Sequence, residues 1–426
     1  MRFALIAALI LSASTWFYVE RIMKPQQRAY AAAHNQPRGN LSDLYPRWLG
    51  ARELLRHGRN PYSKEITGEI QEGYYGRRLN PSFADDPKDQ QGFAYPVYVV
   101  FLLAPFTGAP FNLVQTGFRW FLIFLTAASV LLWMHVIGWR ISFLWKLSLI
   151  VLVLGWLPTV QGIKLQQLTL LVAGIAAACV ACMTAGWLFW AGALLALTTI
   201  KPQLAWLLVA WLLLWAASDW RARRRLVFGF ATIMVLLLAG AELILPGWLR
   251  MFLEAIRQYH QYTQNESVMV WVFGAILGRL LEGLSILACG VFLWKVRREP
   301  ASTAAFGQAT ASVLALTALV VPMFAPYNQV LLMPAMLVLV RSFLGGAILP
   351  SVRMANIVAA LFVVWPWIAA IGLCLAFRWL TPDARARLYL LPFYSNFEVP
   401  IFVFGLMLLD AWLNHGESLR ENAASE

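Results

Sequence analysis

Apolar residues run along this chain in blocks of about 15 to 25, broken by short polar stretches, a period that suits bilayer-spanning helices better than strands or a water-soluble core. Twelve such blocks predict spans at about 3 to 19, 113 to 137, 143 to 160, 166 to 184, 186 to 200, 203 to 217, 226 to 246, 269 to 294, 303 to 322, 328 to 340, 354 to 377 and 397 to 413. A further apolar stretch from Phe93 to Phe106 carries Tyr95-Pro96 and Pro105 and is short for a crossing, so it is expected to be re-entrant or juxtamembrane. The first block, Phe3 to Tyr18, has one basic residue before it but no small-x-small cleavage site after it, and is expected to stay as an uncleaved helix. The pattern therefore predicts an all-α polytopic bundle of about 12 transmembrane helices, forming one domain over residues 1–426 with a large first loop over 20–92.

Composition agrees. Of 426 residues 60% are hydrophobic and 13% charged, and mean hydropathy is +0.64, which excludes a soluble enzyme. The formal charge of +13 would suit nucleic acid, but much of it sits in clusters beside apolar blocks, where membrane topology and lipid headgroups account for it. Nucleic-acid binding is discarded on that ground. The strongest clusters, Arg221 to Arg225 and Lys295 with Arg297 and Arg298, lie two spans apart and mark one side as cytoplasmic. Counting outward puts the Arg140/Lys146 and Arg341/Arg353 connections on that side as well, and loop 20–92 on the other, provided that residues 93–106 do not cross. Arg21, Lys24 and Arg28 on the outer flank of the first span run against the rule. Smaller external segments are expected at about 247 to 268, 323 to 327 and 378 to 396. Cys179, Cys182, Cys289 and Cys374 all lie in apolar runs and read as helix-packing residues, and the CxxC they include has no polar metal partner beside it.

The large loop reads SDLYPRWLGARELLRHGRNPYS from Ser42 to Ser63. Ser42 or Asp43 can cap a helix in which Leu44, Trp48, Ala51, Leu54 and Leu55 recur at helical spacing, and Gly58 with Asn60-Pro61 ends it. Such a helix would lie along the outer leaflet, with Arg47, Arg52, Arg56 and Arg59 available to phosphates or headgroups.

Asp43-Leu44-Tyr45, Ala51, Leu54-Leu55, Gly58 and Asn60-Pro61-Tyr62 together resemble the first external loop of the polyprenyl-phosphate-mannose-dependent mannosyltransferases of glycosyltransferase family 87. Tyr95-Pro96 with Pro105, the Gln166/Gln167 pair, Ile200-Lys201-Pro202-Gln203, and Asn265 with Ser267 follow in that family's order. Val97 replaces a second proline, and Pro326-Tyr327-Asn328-Gln329 lacks the histidine common in the family at that place. The resemblance implies a GT-C fold with its site at the outer face of the bundle, a polyprenyl-phosphate-sugar donor, a lipid or glycan acceptor, and Asp43 as general base. A multi-pass integral protein of a bacterial cytoplasmic membrane, with the site on the extracytoplasmic side, is the expected location.

Chemistry makes sense of those assignments. A sugar on a polyprenyl phosphate already has a good leaving group, so the enzyme must deprotonate an acceptor hydroxyl and stabilise the departing phosphate. Lys201, followed by proline at the external end of a span, is costly there unless it snorkels or meets an anion, and is the first candidate for the phosphate, with Arg47 and Arg52 assisting and Lys164 a weaker candidate. Tyr45, Gln166, Gln167, Gln203 and Asn265 are candidates for binding sugar or acceptor hydroxyls. His260 reads as a surface histidine, and Asp85, Asp86 and Asp89 as a solvated turn. No HExxH, DxD or Gly-rich phosphate loop occurs, so no metal site and no cofactor is assigned, though a divalent ion is not excluded. The competing reading is a lipid-linked-sugar transporter or flippase, for which the spans hold few ionisable residues, Glu242 and Glu282 being the clearest.

Overall fold

The computed structural model describes residues 2–33, 42–80, 82–83, 86–263, 266–322, 324–345 and 350–425. The chain is 81% helical with no strand among those residues, as the block pattern predicts. Helix α1 (Arg2–Tyr18) passes through a π-helical turn into α2 (Lys24–Ala33), and the first loop then folds into α3 (Leu44–His57) and α4 (Lys64–Tyr75). Residues 93–106 form α5 (Val99–Leu103) and one 3-10 turn. Its five helical residues rise only about 7.5 Å, far short of a hydrocarbon core of about 30 Å, and α5 packs against α3 with Val99, Val100 and Leu103 buried.

The bundle continues with α6 (Phe111–Val136), α7 (Phe143–Gly155), α8 (Leu157–Lys164), α9 (Leu168–Thr184), α10 (Leu188–Thr198), α11 (Pro202–Ser218) and α12 (Trp220–Ile244). It is completed by α13 (Trp248–Thr263), α14 (Val268–Phe273), α15 (Ala275–Val296), α16 (Ala304–Val320), a 3-10 segment Pro326–Leu332, α17 (Met333–Gly345), α18 (Pro350–Ala376), α19 (Pro382–Leu388) and α20 (Glu398–Ser425). Seven helical stretches among the described residues are long and apolar enough to span a bilayer, and the pair α7 and α8, bent by 61°, reaches that length only when the two are taken together. Helices α9, α10, α11 and α16 are apolar but have only 11 to 17 residues. A 17-residue helix is about 25 Å long, short of a hydrocarbon core of about 30 Å. The expected blocks are thus helices, while length alone does not make all twelve into full crossings.

Two glycines let α10 and α12 touch backbone to backbone. A Cβ on Gly192 would overlap the Leu226 carbonyl, and one on Gly229 would overlap the Phe189 carbonyl. Close approach at small residues is how helices gain packing where lipid is as apolar as the side chains. Gly192→Val is expected to destabilise the protein by about 1–3 kcal/mol or more, because backbone cannot yield as a side chain does. A thermal unfolding midpoint equal to wild type in detergent would contradict that.

The basic end of the bundle is built as well as charged. Arg221, Arg224 and Arg225 are exposed, but Arg223 is buried, stacks on Trp215 at 3.9 Å, and donates to the carbonyls of Trp215, Arg297, Arg298 and Glu299. One arginine of the cluster read as a topology signal therefore ties two helix ends together. Arg341 likewise donates to the Ile137 carbonyl. Helix α11 separates this end from Lys201 by about 25 Å, so the candidate chemistry and the arginine clusters occupy opposite ends of the bundle.

Candidate active site

Local sequence places α3 by three devices. Asp43 N–H donates to the Leu165 carbonyl at 3.0 Å and pins the start of the helix to the turn between α8 and α9. Gly58 takes φ +65 and ends the helix, its N–H reaching Leu54 O at 3.1 Å while Arg59 N–H reaches Glu53 O at 3.1 Å. Gly50 leaves room for the Phe93 ring, which any Cβ there would strike. Although Asp43 stands at the N-cap position, its carboxylate makes no capping hydrogen bond. It points away and accepts from Gln167 Nε2.

Gln167 is aimed at Asp43 by its neighbour. Gln166 adopts φ +47, a conformation that glycine usually supplies after a helix, and reverses the chain at the end of α8. Its own side chain folds back to the carbonyls of Ile163 and Lys164 at 2.6 and 2.9 Å. Gln166 is fully buried and helps to form the turn, so the pair divides into one residue that shapes and one that faces Asp43.

Lys201 lies in the kink between α10 and α11, 3% exposed, where Pro202 begins the next helix. Its Nζ donates to Thr169 Oγ1 at 2.7 Å and Gln167 Oε1 at 3.3 Å, and Thr169 Oγ1 donates to Asn328 Oδ1 at 3.0 Å. The lysine is therefore held inward by neutral groups and does not snorkel. Arg47 lies over the Tyr95 ring at 4.4 Å, and Lys201 approaches the rings of Tyr95 and Tyr327 at 6.0 and 5.5 Å.

These groups surround one cavity of about 360 Å³. Asp43, Arg47, Gln167, Lys201 and Gln203 line it, together with Asp89, Gln91, Tyr95, Tyr259, His260 and Tyr327. Tyr45 and Arg52 are not among its walls. From Asp43, Arg47 is four residues on and returns to the same helix face, whereas Tyr45 and Arg52 are two and nine residues on and at about 100° per residue face well away. Tyr45 instead packs on Phe111 at 5.0 Å, and Arg52 stacks on Trp48 at 5.4 Å. Arg59, read as free for headgroups, is paired with Glu53 at 2.9 Å and also with Glu69. Lys164 pairs with Glu20 near Trp16 and does not line the cavity. Asn265 lies outside the described residues.

One reading of the loop is corrected. Asp89 is no solvated turn: it faces the cavity, accepting from Gln91 N–H at 2.9 Å and from Gln91 Nε2 at 2.8 Å, while Asp86 is paired with Arg77 and Asp85 lies outside the described residues. His260 is exposed, in keeping with a surface histidine, and stands at the cavity rim on α13. Tyr259 and Tyr327 carry no signal in the sequence beyond being aromatic. Only the fold brings α13 and the 3-10 segment over the site.

The electrostatics favour a cavity that handles both an acid and an anion. Burial pushes the Asp43 carboxyl above the ordinary aspartate value, and Arg47, Lys201 and hydrogen bonds from Gln167 and Tyr74 pull it part of the way back. Burial pushes the Lys201 ammonium below the ordinary lysine value, against the opposing pull of Tyr95 and Asp43. Burial alone would raise the Tyr95 phenol, but Arg47 and Lys201 hold it below its usual value.

At one end of this all-helical membrane bundle two carboxylates, the buried Lys201, the half-buried Arg47 and amide side chains gather around a cavity suited to polar, charged groups. The model of glycosyltransferase family 87 matches residues 93–326, more than half of the chain, and the chain belongs to that family. Tyr95, Gln167 and Lys201 lie within the matched stretch and Asp43 upstream of it. No match is found among curated proteins or among solved structures. The protein is an integral-membrane glycosyltransferase, and its class implies a lipid-linked sugar donor.

Proposed function

We propose that the enzyme transfers a hexose, and in particular mannose, from a polyprenyl phosphate to a hydroxyl of a lipid or glycan on the extracytoplasmic side of the membrane, with inversion at C1. The observation that carries this reading is the Asp43 carboxylate held by Gln167 in a cavity shared with Arg47 and Lys201. Asp43 takes the proton of the acceptor hydroxyl as that oxygen forms its bond to C1. The C1–O bond to the phosphate breaks, its electron pair passes to the phosphate, and Lys201 and Arg47 meet the charge that develops there. Gln167 and Gln203 line the space available to sugar or acceptor hydroxyls.

The extracytoplasmic placement is supported by the arginine clusters at the opposite end, which the positive-inside rule assigns to the cytoplasm. It is tested in cells by labelling with a membrane-impermeant maleimide after removal of the native cysteines. Glu72→Cys, at an exposed position of α4, is expected to label and Arg221→Cys is not. The opposite pattern would put the site on the wrong face. The reaction itself is tested by following radiolabelled mannose from polyprenyl-phosphate-mannose into product in membranes that contain the protein.

A pH profile offers an independent check. Asp43 acts only as the carboxylate, and its value is raised, so the rate should fall on acidification at a pH above the ordinary aspartate value of about 3.9. Lys201 acts only as the ammonium, and its value is lowered, so the rate should fall on the alkaline side below the ordinary lysine value of about 10.4. The expected kcat/KM profile is a bell drawn in from both sides. A flat profile between those reference values and beyond would remove both roles.

A further inference from the structure

Asp89 is a second carboxylate on the same cavity, and the proton transfer above does not use it. It sits in the strap that runs from the end of α4 toward Tyr95. Gln91 adopts φ +54, a conformation uncommon for a residue other than glycine, and so brings both its N–H and its side-chain amide onto the Asp89 carboxylate. The Tyr75 hydroxyl donates to the Asp89 carbonyl at 2.8 Å and ties the strap to α4. Asp89 is thus fixed in place with one donor on each carboxylate oxygen. A carboxylate has about four lone-pair positions, so each oxygen keeps acceptor capacity.

The donors that hold the two carboxylates differ, Gln167 for Asp43 and Gln91 for Asp89. Asp89 feels the charges of Asp43 and Arg47 across the shared cavity and is itself felt by Tyr75, Tyr259 and Tyr262. Tyr259 and Tyr262 stand edge to face at 5.3 Å on α13, and Tyr259 lines the cavity. Besides Arg47, Lys201 and Asp43, the cavity therefore offers a second fixed carboxylate with Tyr259 in the same lining. Cations suit the phosphate. A carboxylate with two acceptor oxygens next to an aromatic ring suits a sugar, whose adjacent hydroxyls each donate one hydrogen bond while its C–H face lies on the ring.

We infer that Asp89, held by Gln91, binds two adjacent hydroxyls of the transferred sugar and sets which sugar the enzyme accepts. The inference rests on the donor reading proposed above. It gives the two aspartates separate tasks: Asp43 moves the proton, and Asp89 reads the sugar.

The test compares polyprenyl-phosphate-mannose with its 2-, 3-, 4- and 6-deoxy analogues, for wild type and Asp89→Asn in the full-length protein. Asn retains an oxygen for the Gln91 N–H, so the turn survives, but it loses the charge and one acceptor. Wild type is expected to disfavour the analogues lacking either of two neighbouring hydroxyls by about 10- to 100-fold in kcat/KM, and Asp89→Asn to lose that discrimination at those two positions alone. A Gln91→Gly variant, which keeps the turn conformation, should retain most of it. If Asp89→Asn slows every donor alike, or leaves the ranking of the analogues unchanged, Asp89 only shapes the strap and the inference is wrong. If wild type transfers from none of these donors, the donor reading fails first and the inference falls with it, a result distinct from transfer that ignores the deoxy positions.

Discussion

Asp43→Asn is expected to lower kcat by about 10²- to 10⁴-fold, the usual range for the loss of a positioned general base, with little change in the thermal unfolding midpoint. The two effects separate because of how Asp43 is held. Its N–H bond to Leu165 fixes the start of α3 through the backbone, which the substitution leaves intact, and an asparagine oxygen can still accept from Gln167. Removing a buried charge also relieves a desolvation cost, which offsets part of what is lost to Arg47 and Lys201. Asp43→Glu keeps the charge but moves the carboxylate by one methylene, and should restore only a fraction of the rate. Equal transfer by wild type and Asp43→Asn, at equal protein in the membrane, would reduce Asp43 to an anchor for the helix and send the search for the base elsewhere in the cavity.

Lys201→Met is the second large effect. Deleting one group that stabilises charge developing on a leaving group costs on the order of 10²- to 10³-fold in kcat. The variant should fold, because methionine fills the same apolar stem and the Thr169 hydrogen bond to Asn328 does not need the ammonium. Lys201→Arg is the informative companion. An arginine stays charged at every accessible pH, so the alkaline fall of the profile should shift upward even if the bulkier guanidinium lowers the rate. If Lys201→Met loses stability but keeps its kcat once folded, the lysine is a structural link among Gln167, Thr169 and Asn328. If the alkaline limb does not move in Lys201→Arg, another group sets it.

Much of the fold was readable because the rules behind it are local or nearly so. Blocks of apolar residues became helices, Gly58 ended α3 where its left-handed conformation was needed, and residues 93–106 stayed too short to cross. Helical periodicity also carried Arg47 to the Asp43 face, and the same periodicity, had it been applied to Tyr45 and Arg52, would have turned both away. What the sequence withheld depends on contacts between distant segments. Whether Gln166 or Gln167 faces the cavity turns on a single positive φ, which the letters alone do not reveal. Asp89 read as a turn residue because prolines and a lysine surround it, and nothing local shows that α13 and its tyrosines close over the strap. Arg223 read as one charge among several because its carbonyl partners come from the far end of α15.

The polar chain from Lys201 through Thr169 to Asn328 has a consequence for how the protein is made. The groups that meet at the cavity come from widely separated stretches of chain, with Asp43 near the beginning and Tyr327, beside Asn328 of that polar chain, about three quarters of the way along. A ribosome that has delivered only the first half has placed the aspartate in the membrane without the aromatic and amide neighbours that complete its surroundings. The lining of the cavity is therefore complete only once about three quarters of the polypeptide has been delivered to the membrane.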